Sequence, residues 1–338
     1  MWFKKVNIKT NVQAYATLFK ILNQAIDEQQ ISLGIAVPKE MYEPMNYIIG
    51  LGGKRVRPLL TLVGCDLFEA NPNEAIHAAL SVELFHNFSL IHDDILDNAP
   101  LRRGNTTVHE KWNHNIALLS GDGMMVKGFE VLSKSNNKHI PELLSLFAKT
   151  GLEVCEGQQM DMNFETQEKV SVHDYIDMIT FKTAVLLGCS LQMGAICANA
   201  SIENQKHVYE FGKHVGIAFQ ILDDVLDVYA DDEKFGKQVG GDIISNKKTF
   251  MLLDAFELAD ESQTRQLNYL LYSNEISTVE KVKQVTAIYD LLGVKELALT
   301  EANKHTDIAL KHLEELDANQ SKKNNLKEFA LHLLNREM

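Results

Sequence analysis

The chain has 338 residues, 45% hydrophobic and 23% charged, the balance of a folded protein with ample core, which excludes a disordered chain or a small cross-linked scaffold. Subtracting 46 acidic from 33 basic residues gives a formal charge of −13, a field that repels nucleic acid and anionic membrane surfaces unless cations gather locally. The four cysteines, Cys65, Cys155, Cys189 and Cys197, form no CxxC pair and match no zinc spacing, so buried, reduced thiols are expected.

In chain order, MWFKKVNIKT lacks an apolar leader core and a small-residue cleavage site, so a cytoplasmic protein is expected. Ten or more helices are expected between residues 11 and 337, and no strand, because apolar residues recur at three and four positions and never alternate over a useful length. A helix stops at Gly52-Gly53. Asn71-Pro72-Asn73-Glu74 starts another, with an Asn cap, Pro in the first turn and an acid after it. That helix carries Ile76, Ala79, Leu80, Leu84, Phe88, Ile91 and Ile95 and leads into a loop at about Asn98 to Asn105. A stop falls around Asn136-Asn137, and Ser171-Val172-His173-Asp174 starts a further helix. Thr183 to Ile202 is uncharged but contains Gly188, Ser190, Gln192, Gly194 and Asn199, which suits a buried helix better than a membrane span. A second long loop is expected at about Ala230 to Lys247. All six prolines precede residue 142, which favours long helices beyond it. Nothing divides the chain, so residues 1–338 are expected to form a single domain.

Asp93 and Asp97, like Asp223 and Asp227, are four residues apart, so on a helix each pair shares one face and its carboxylates are neighbours. Such a pair loses roughly 0.2–0.5 kcal/mol even when exposed, and the apolar frame around both clusters raises the cost. A compensating cation is expected. Mg²⁺ suits this arrangement, since it binds through one or two carboxylates plus substrate phosphates, whereas no EF-hand ladder is present. His92-Asp93 raises the alternative of a metal phosphohydrolase, but its further ligands are missing.

Cations gather at Gly52-Gly53-Lys54-Arg55-Val56-Arg57-Pro58, where glycine and a helix start favour anion approach, and at Leu101-Arg102-Arg103-Gly104. Lys182, Lys237, Lys247 and Lys248 add to them, while Lys213 reads as a surface charge. Together they point to two phosphorylated groups, one held through metal and one gripped directly by Arg and Lys. No Walker A motif, GxGxxG turn or Ser/Cys nucleophile with a base is found, so loss of a metal-bound pyrophosphate from carbon is the expected chemistry.

The motifs GGKRVRP (52–58), DDILD (93–97), LRRG (101–104), FKT (181–183), FQILDDVLD (219–227) and GKQVGGDIISNKK (236–248) resemble, in order, those of the trans-isoprenyl diphosphate synthases of the polyprenyl synthetase group. The resemblance implies an all-α isoprenoid synthase-type bundle around a deep central cavity, normally a homodimer without a membrane span. It implies three Mg²⁺ ions held by Asp93, Asp97 and Asp223, with Asp94 in support and Asp227, Asp242 and Lys247 completing the second site. Arg102, Lys182 and Lys237 are implied to contact the diphosphate of an allylic substrate (dimethylallyl, geranyl or farnesyl diphosphate). Lys54, Arg57, His86 and Arg103 are implied to hold isopentenyl diphosphate, and Thr183 and Gln220 to face the developing allylic cation. His86, on its own, reads as a core histidine.

Phe88 lies five positions before Asp93, about 7–8 Å down the helix, where its ring can act as a floor. In the family an aromatic there limits product length. With Ser89 beside it and no insertion in DDILD, the pattern leans toward geranylgeranyl diphosphate (C20), with farnesyl diphosphate (C15) or a longer chain as alternatives. A class I terpene cyclase usually carries a different second motif. A non-catalytic synthase subunit would lack aspartates or basic clamps, all of which are present here.

Overall fold

The structure is a computed structural model that describes residues 13–230, 240–273 and 275–335. Its helices are α1 (Ala16–Gly34), α2 (Lys39–Gly50), α3 (Val56–Leu67), α4 (Ile76–Leu96), α5 (Val108–Lys111), α6 (His114–Leu132), α7 (Ile140–Thr166), α8 (Val172–Ile179), α9 (Val185–Cys197), α10 (Ile202–Tyr229), α11 (Gly241–Ile244), α12 (Phe250–Leu258), α13 (Glu261–Tyr272), α14 (Thr278–Leu292), α15 (Val294–Glu314) and α16 (Gln320–Leu334). The all-α expectation is borne out, with one exception. Leu101–Arg102 (β1) and Asn105–Thr106 (β2) pair antiparallel inside the expected loop. Arg103 and Gly104 both have positive φ, 53° and 74°, as a type I′ turn requires.

Two compact units are distinguished. The first comprises Met1–Gly151, Leu186–Tyr209 and Glu315–Phe329. Its axis is α4, which packs on α3 and α6 and is apolar nearly all round: Ala79, Leu80, Leu84, Phe88 and Ile91 are buried, and so are Ala78, Val82 and Phe85. The Asn71 cap is present, its side chain accepting the Asn73 amide. The second unit comprises Leu152–Val185, Glu210–Glu314 and Ala330–Met338. Ile221 and Val225 of α10 lie in its core with Phe250, Met251, Leu267, Val285, Tyr289 and Ala298. Ser171 and Asp174 form the full capping box that starts α8.

The apolar stretch Val172–Cys197 is 72% buried over its most hydrophobic window, as a core segment should be. No disulfide joins the four cysteines, and Cys65, Cys189 and Cys197 are buried, but Cys155 is exposed on α7, which corrects the expectation for that residue. Its neighbours Leu152 and Glu156 are exposed as well, so it sits on an outward stretch of the helix that its sequence spacing did not single out.

Candidate active site

In the first unit the basic segment before α3 is held in a tight backbone course: Gly52, Gly53 and Arg55 have φ of 75°, 142° and 49°. The φ of 142° at Gly53 is one that L side chains rarely adopt, so glycine is needed there, and it leaves room for the Arg103 guanidinium. Arg103 donates to the Gly52 carbonyl, and Arg55 forms a buried ion pair with Glu83, whose Oε1 also accepts from Asn87 Nδ2 at 2.6 Å. Arg102 grips Asp94 in a fork, Nε 2.8 Å from both carboxylate oxygens and Nη2 2.7 Å from Oδ1. Four arginines thus meet two buried carboxylates. Neither Arg57 nor Arg103 has a carboxylate partner among the described residues, and the buried Arg57 Nε has no hydrogen-bond partner there. A buried guanidinium in that state calls for an anion.

His86 completes this pocket, with Nε2 3.4 Å from Arg57 Nη1. Burial first, then Arg57, Arg103, Arg102 and Arg55, hold its pKa well below the ordinary 6.5, so the imidazole is neutral and can accept from Arg57. Burial likewise brings Arg57 down to about 10. Because the unfolded chain binds a proton on His86 below about pH 6.5 and the folded chain does not, the neutral site's stability is present above the unfolded pKa and lost as pH falls through it toward the folded value. Melting temperature is therefore expected to fall less steeply with acidification in His86→Asn than in the parent; equal slopes would rule out this titration.

Asp93 is half-buried and Asp97 exposed at the end of α4, whereas Asp94 points inward to Arg102. The second cluster repeats the pattern: Asp223 and Asp227 are half-buried and Asp224 is buried. Asp224 Oδ2 accepts from the Tyr175 hydroxyl at 2.5 Å and from the Phe250 amide at 3.3 Å, and burial, then Asp242, pushes its pKa up to about 7. Asp227 Oδ2 accepts the Asp242 amide at 2.9 Å, tying the start of α11 to α10. Each cluster therefore buries its middle aspartate and leaves the i, i+4 pair half-buried or exposed. Carboxylate oxygens are hard donors of the kind that suit Mg²⁺.

Lys182 and Thr183 lie on a π-helical turn, Thr180–Ala184, between α8 and α9. Lys182 Nζ meets Asp161 Oδ2 of α7 at 2.5 Å, Thr183 Oγ1 lies 3.5 Å from Gln220 Oε1, and Gln220 Nε2 lies 3.4 Å from Asp224 Oδ1. Two glycines let neighbouring helices close on this turn: a Cβ at Gly157 would meet Lys182 N at 2.2 Å, and one at Gly216 would meet Ala184 Cα at 2.7 Å. Gly157→Ala is expected to destabilise by about 1–3 kcal/mol through overpacking and to lower turnover by moving Lys182. Denaturant unfolding alongside steady-state rates checks this; an unchanged midpoint would show that the turn gives way freely.

Lys54 and Lys247 are exposed, and Ser89 bonds its own helix at the His86 carbonyl, 2.9 Å away. Phe88 is buried, edge-on to Phe85 at 5.3 Å and to His92 at 4.8 Å. Lys213 pairs with Glu210, the surface role expected of it. Lys237 lies outside the described residues. Lys248 departs from the phosphate-binding expectation: its ammonium donates to the Phe164 and Gln167 carbonyls at the end of α7, where a cation complements the helix dipole. The sequence reading missed Asp161, Tyr175 and Glu83. Each is a partner of a residue it named, and none carries a spacing signal of its own.

An all-helical protein with two aspartate rows and guanidinium groups awaiting an anion belongs to the class that works on diphosphate esters. The polyprenyl synthetase family profile matches residues 38–289, and the chain belongs to that family as a trans-prenyltransferase. It is 41% identical over 238 residues to a geranylgeranyl diphosphate synthase of Methanosarcina mazei, covering 70% of this chain and 72% of the relative. A geranylgeranyl pyrophosphate synthase of Geoglobus acetivorans is 35% identical over 320 residues, 94% of this chain and 97% of the relative. The solved geranylgeranyl pyrophosphate synthetase of Pyrococcus horikoshii superposes with a TM-score of 0.89 at 34% identity, covering 96% of this chain and all of that one. Enzymes of the family are generally magnesium-dependent and use isopentenyl and allylic diphosphates.

Proposed function

We propose that this chain condenses an allylic diphosphate with isopentenyl diphosphate to give geranylgeranyl diphosphate, as a cytoplasmic homodimer in which residues 1–338 act as one domain. Two observations support the reading: an i, i+4 aspartate pair recurs in each of the two units, and the first unit holds an arginine pocket with an unpartnered buried donor. Asp93, Asp97, Asp223 and Asp227 would hold up to three Mg²⁺ ions, which when bound neutralise the charge that develops on the departing diphosphate. Lys182, with Lys237, Lys247 and the Arg102 side of the hairpin, would orient that group. Arg57, Arg103, Lys54 and neutral His86 would grip the diphosphate of isopentenyl diphosphate and keep its double bond turned toward the allylic carbon. Thr183 and Gln220 would present oxygen atoms to the allylic cation. The proton lost from the condensation product needs no side-chain base, because the released pyrophosphate can take it.

The product assignment is supported by the names of the relatives and by Phe88. A dimer is supported by Leu118, Leu119 and Val126, all more than half exposed along α6, a stripe of apolar surface that a second copy could cover. Incubation with Mg²⁺, isopentenyl diphosphate and primers of increasing length, followed by mass measurement, tests the reading. A C20 diphosphate is expected, and no elongation of any primer would overturn it. Phe88→Ala is expected to lengthen the product by one or more five-carbon units, and an unchanged product would remove Phe88 as the floor.

A further inference from the structure

Away from the aspartate rows, the second unit gathers histidines on two helices. Glu210 and His214 lie one turn apart on α10, and Glu301, His305 and His312 lie on α15. One ligand atom from each of Glu210, His214 and His312 falls within 4.8 Å of the other two. The His214 ring stacks on His305 at 5.0 Å and on His312 at 6.2 Å.

The shorter of the two carboxylate contacts, at His305, favours one set of tautomers. Glu301 Oε1 lies 3.3 Å from His305 Nε2, so that nitrogen carries a proton and donates it. A neutral His305 then has its lone pair on Nδ1, which accepts from His214 Nδ1 at 2.8 Å. A neutral His214 that donates through Nδ1 keeps its lone pair on Nε2, and Nε2 faces Glu210 Oε2 at 3.7 Å. A lone pair opposite a carboxylate oxygen is repulsive unless a cation lies between them. Lys213 Nζ contacts the same oxygen at 2.6 Å, and an arriving ion would share the carboxylate with it.

We propose that Glu210, His214 and His312 bind a borderline divalent transition-metal ion, of the Zn²⁺ or Co²⁺ class, with His305 and Glu301 orienting His214 from behind. Two imidazoles and one carboxylate suit such an ion and are poor ligands for Mg²⁺. Tetrahedral ligands at about 2.1 Å from zinc stand roughly 3.4 Å apart, so small side-chain rotations close the observed spacing, and a fourth position is left for water. The carboxylate–histidine–histidine chain is the kind of outer support that holds a metal-bound imidazole in one tautomer. Bound metal would staple α10 to α15.

The test uses the untagged full chain in excess Mg²⁺, titrated with Co²⁺ and then Zn²⁺. One Co²⁺ per chain is expected, with the intense visible absorption of a tetrahedral site, displaced by Zn²⁺ and accompanied by a rise in melting temperature. His312→Ala and Glu210→Gln are each expected to weaken binding about tenfold or more, while His207→Ala, on the same helix, leaves it intact. Glu210→Gln guards against a folding defect in the histidine variant. Absence of a saturable tetrahedral signal in the parent, or binding unchanged in both variants, overturns the site.

Discussion

Replacing Asp93 or Asp223 by alanine is expected to lower steady-state turnover by about 10³-fold, equivalent to ~4 kcal/mol of lost stabilisation of the leaving group. Both carboxylates sit one turn from a second aspartate on a half-buried helix face, an arrangement that weakens the fold unless cations accompany it. Melting temperature in chelator is measured in the same variants, because Asp93 also attracts the buried Arg57 guanidinium. Lost activity with unchanged stability separates a ligand role from a packing role. A rate within a few-fold of the parent for either variant would sink the assignment.

Arg102→Ala is expected to destabilise the protein by about 3–5 kcal/mol, because it leaves the Asp94 carboxylate, 1% exposed, without its fork of guanidinium bonds. The double variant Asp94→Leu/Arg102→Ala should recover much of that loss, as it removes the stranded charge along with its partner. Turnover should remain low in both, since the hairpin no longer has its anchor on α4. Chemical denaturation of the parent, the single and the double variant measures this. A double variant no more stable than the single would mean that Asp94 finds other partners, and the pair would lose its claim to hold the hairpin.

The all-α architecture was legible because helical spacing is a local, repeated signal: the residues from Ile76 to Ile95 mark α4 along its whole length. The same spacing places the outer aspartates of each row on one face. It does not say which member of Asp-Asp turns inward, and that choice is made by Arg102 in one unit and by Tyr175 and the Phe250 amide in the other. Partners distant in sequence, such as Asp161 for Lys182, leave no local trace. The π-helical turn Thr180–Ala184 has no spacing signal of its own, and the glycines packed against it, Gly157 and Gly216, lie far from it in sequence. The hairpin was missed because Arg103-Gly104 is not the Asn-Gly pair that usually signals a type I′ turn, and its two-residue strands are too short to alternate. Lys248 shows the opposite error, a cation counted toward phosphate that instead closes a helix end.

That hairpin sets a limit on how the enzyme can vary. A two-residue turn fixes which arginine reaches which neighbour: Arg102 goes to Asp94, and Arg103 goes to the carbonyl of Gly52. Adding or deleting one residue here would shift the side-chain alternation and exchange the two destinations. Although Arg103, Gly104 and Asn105 are exposed, relatives that keep this chemistry should differ there in side chains but not in loop length.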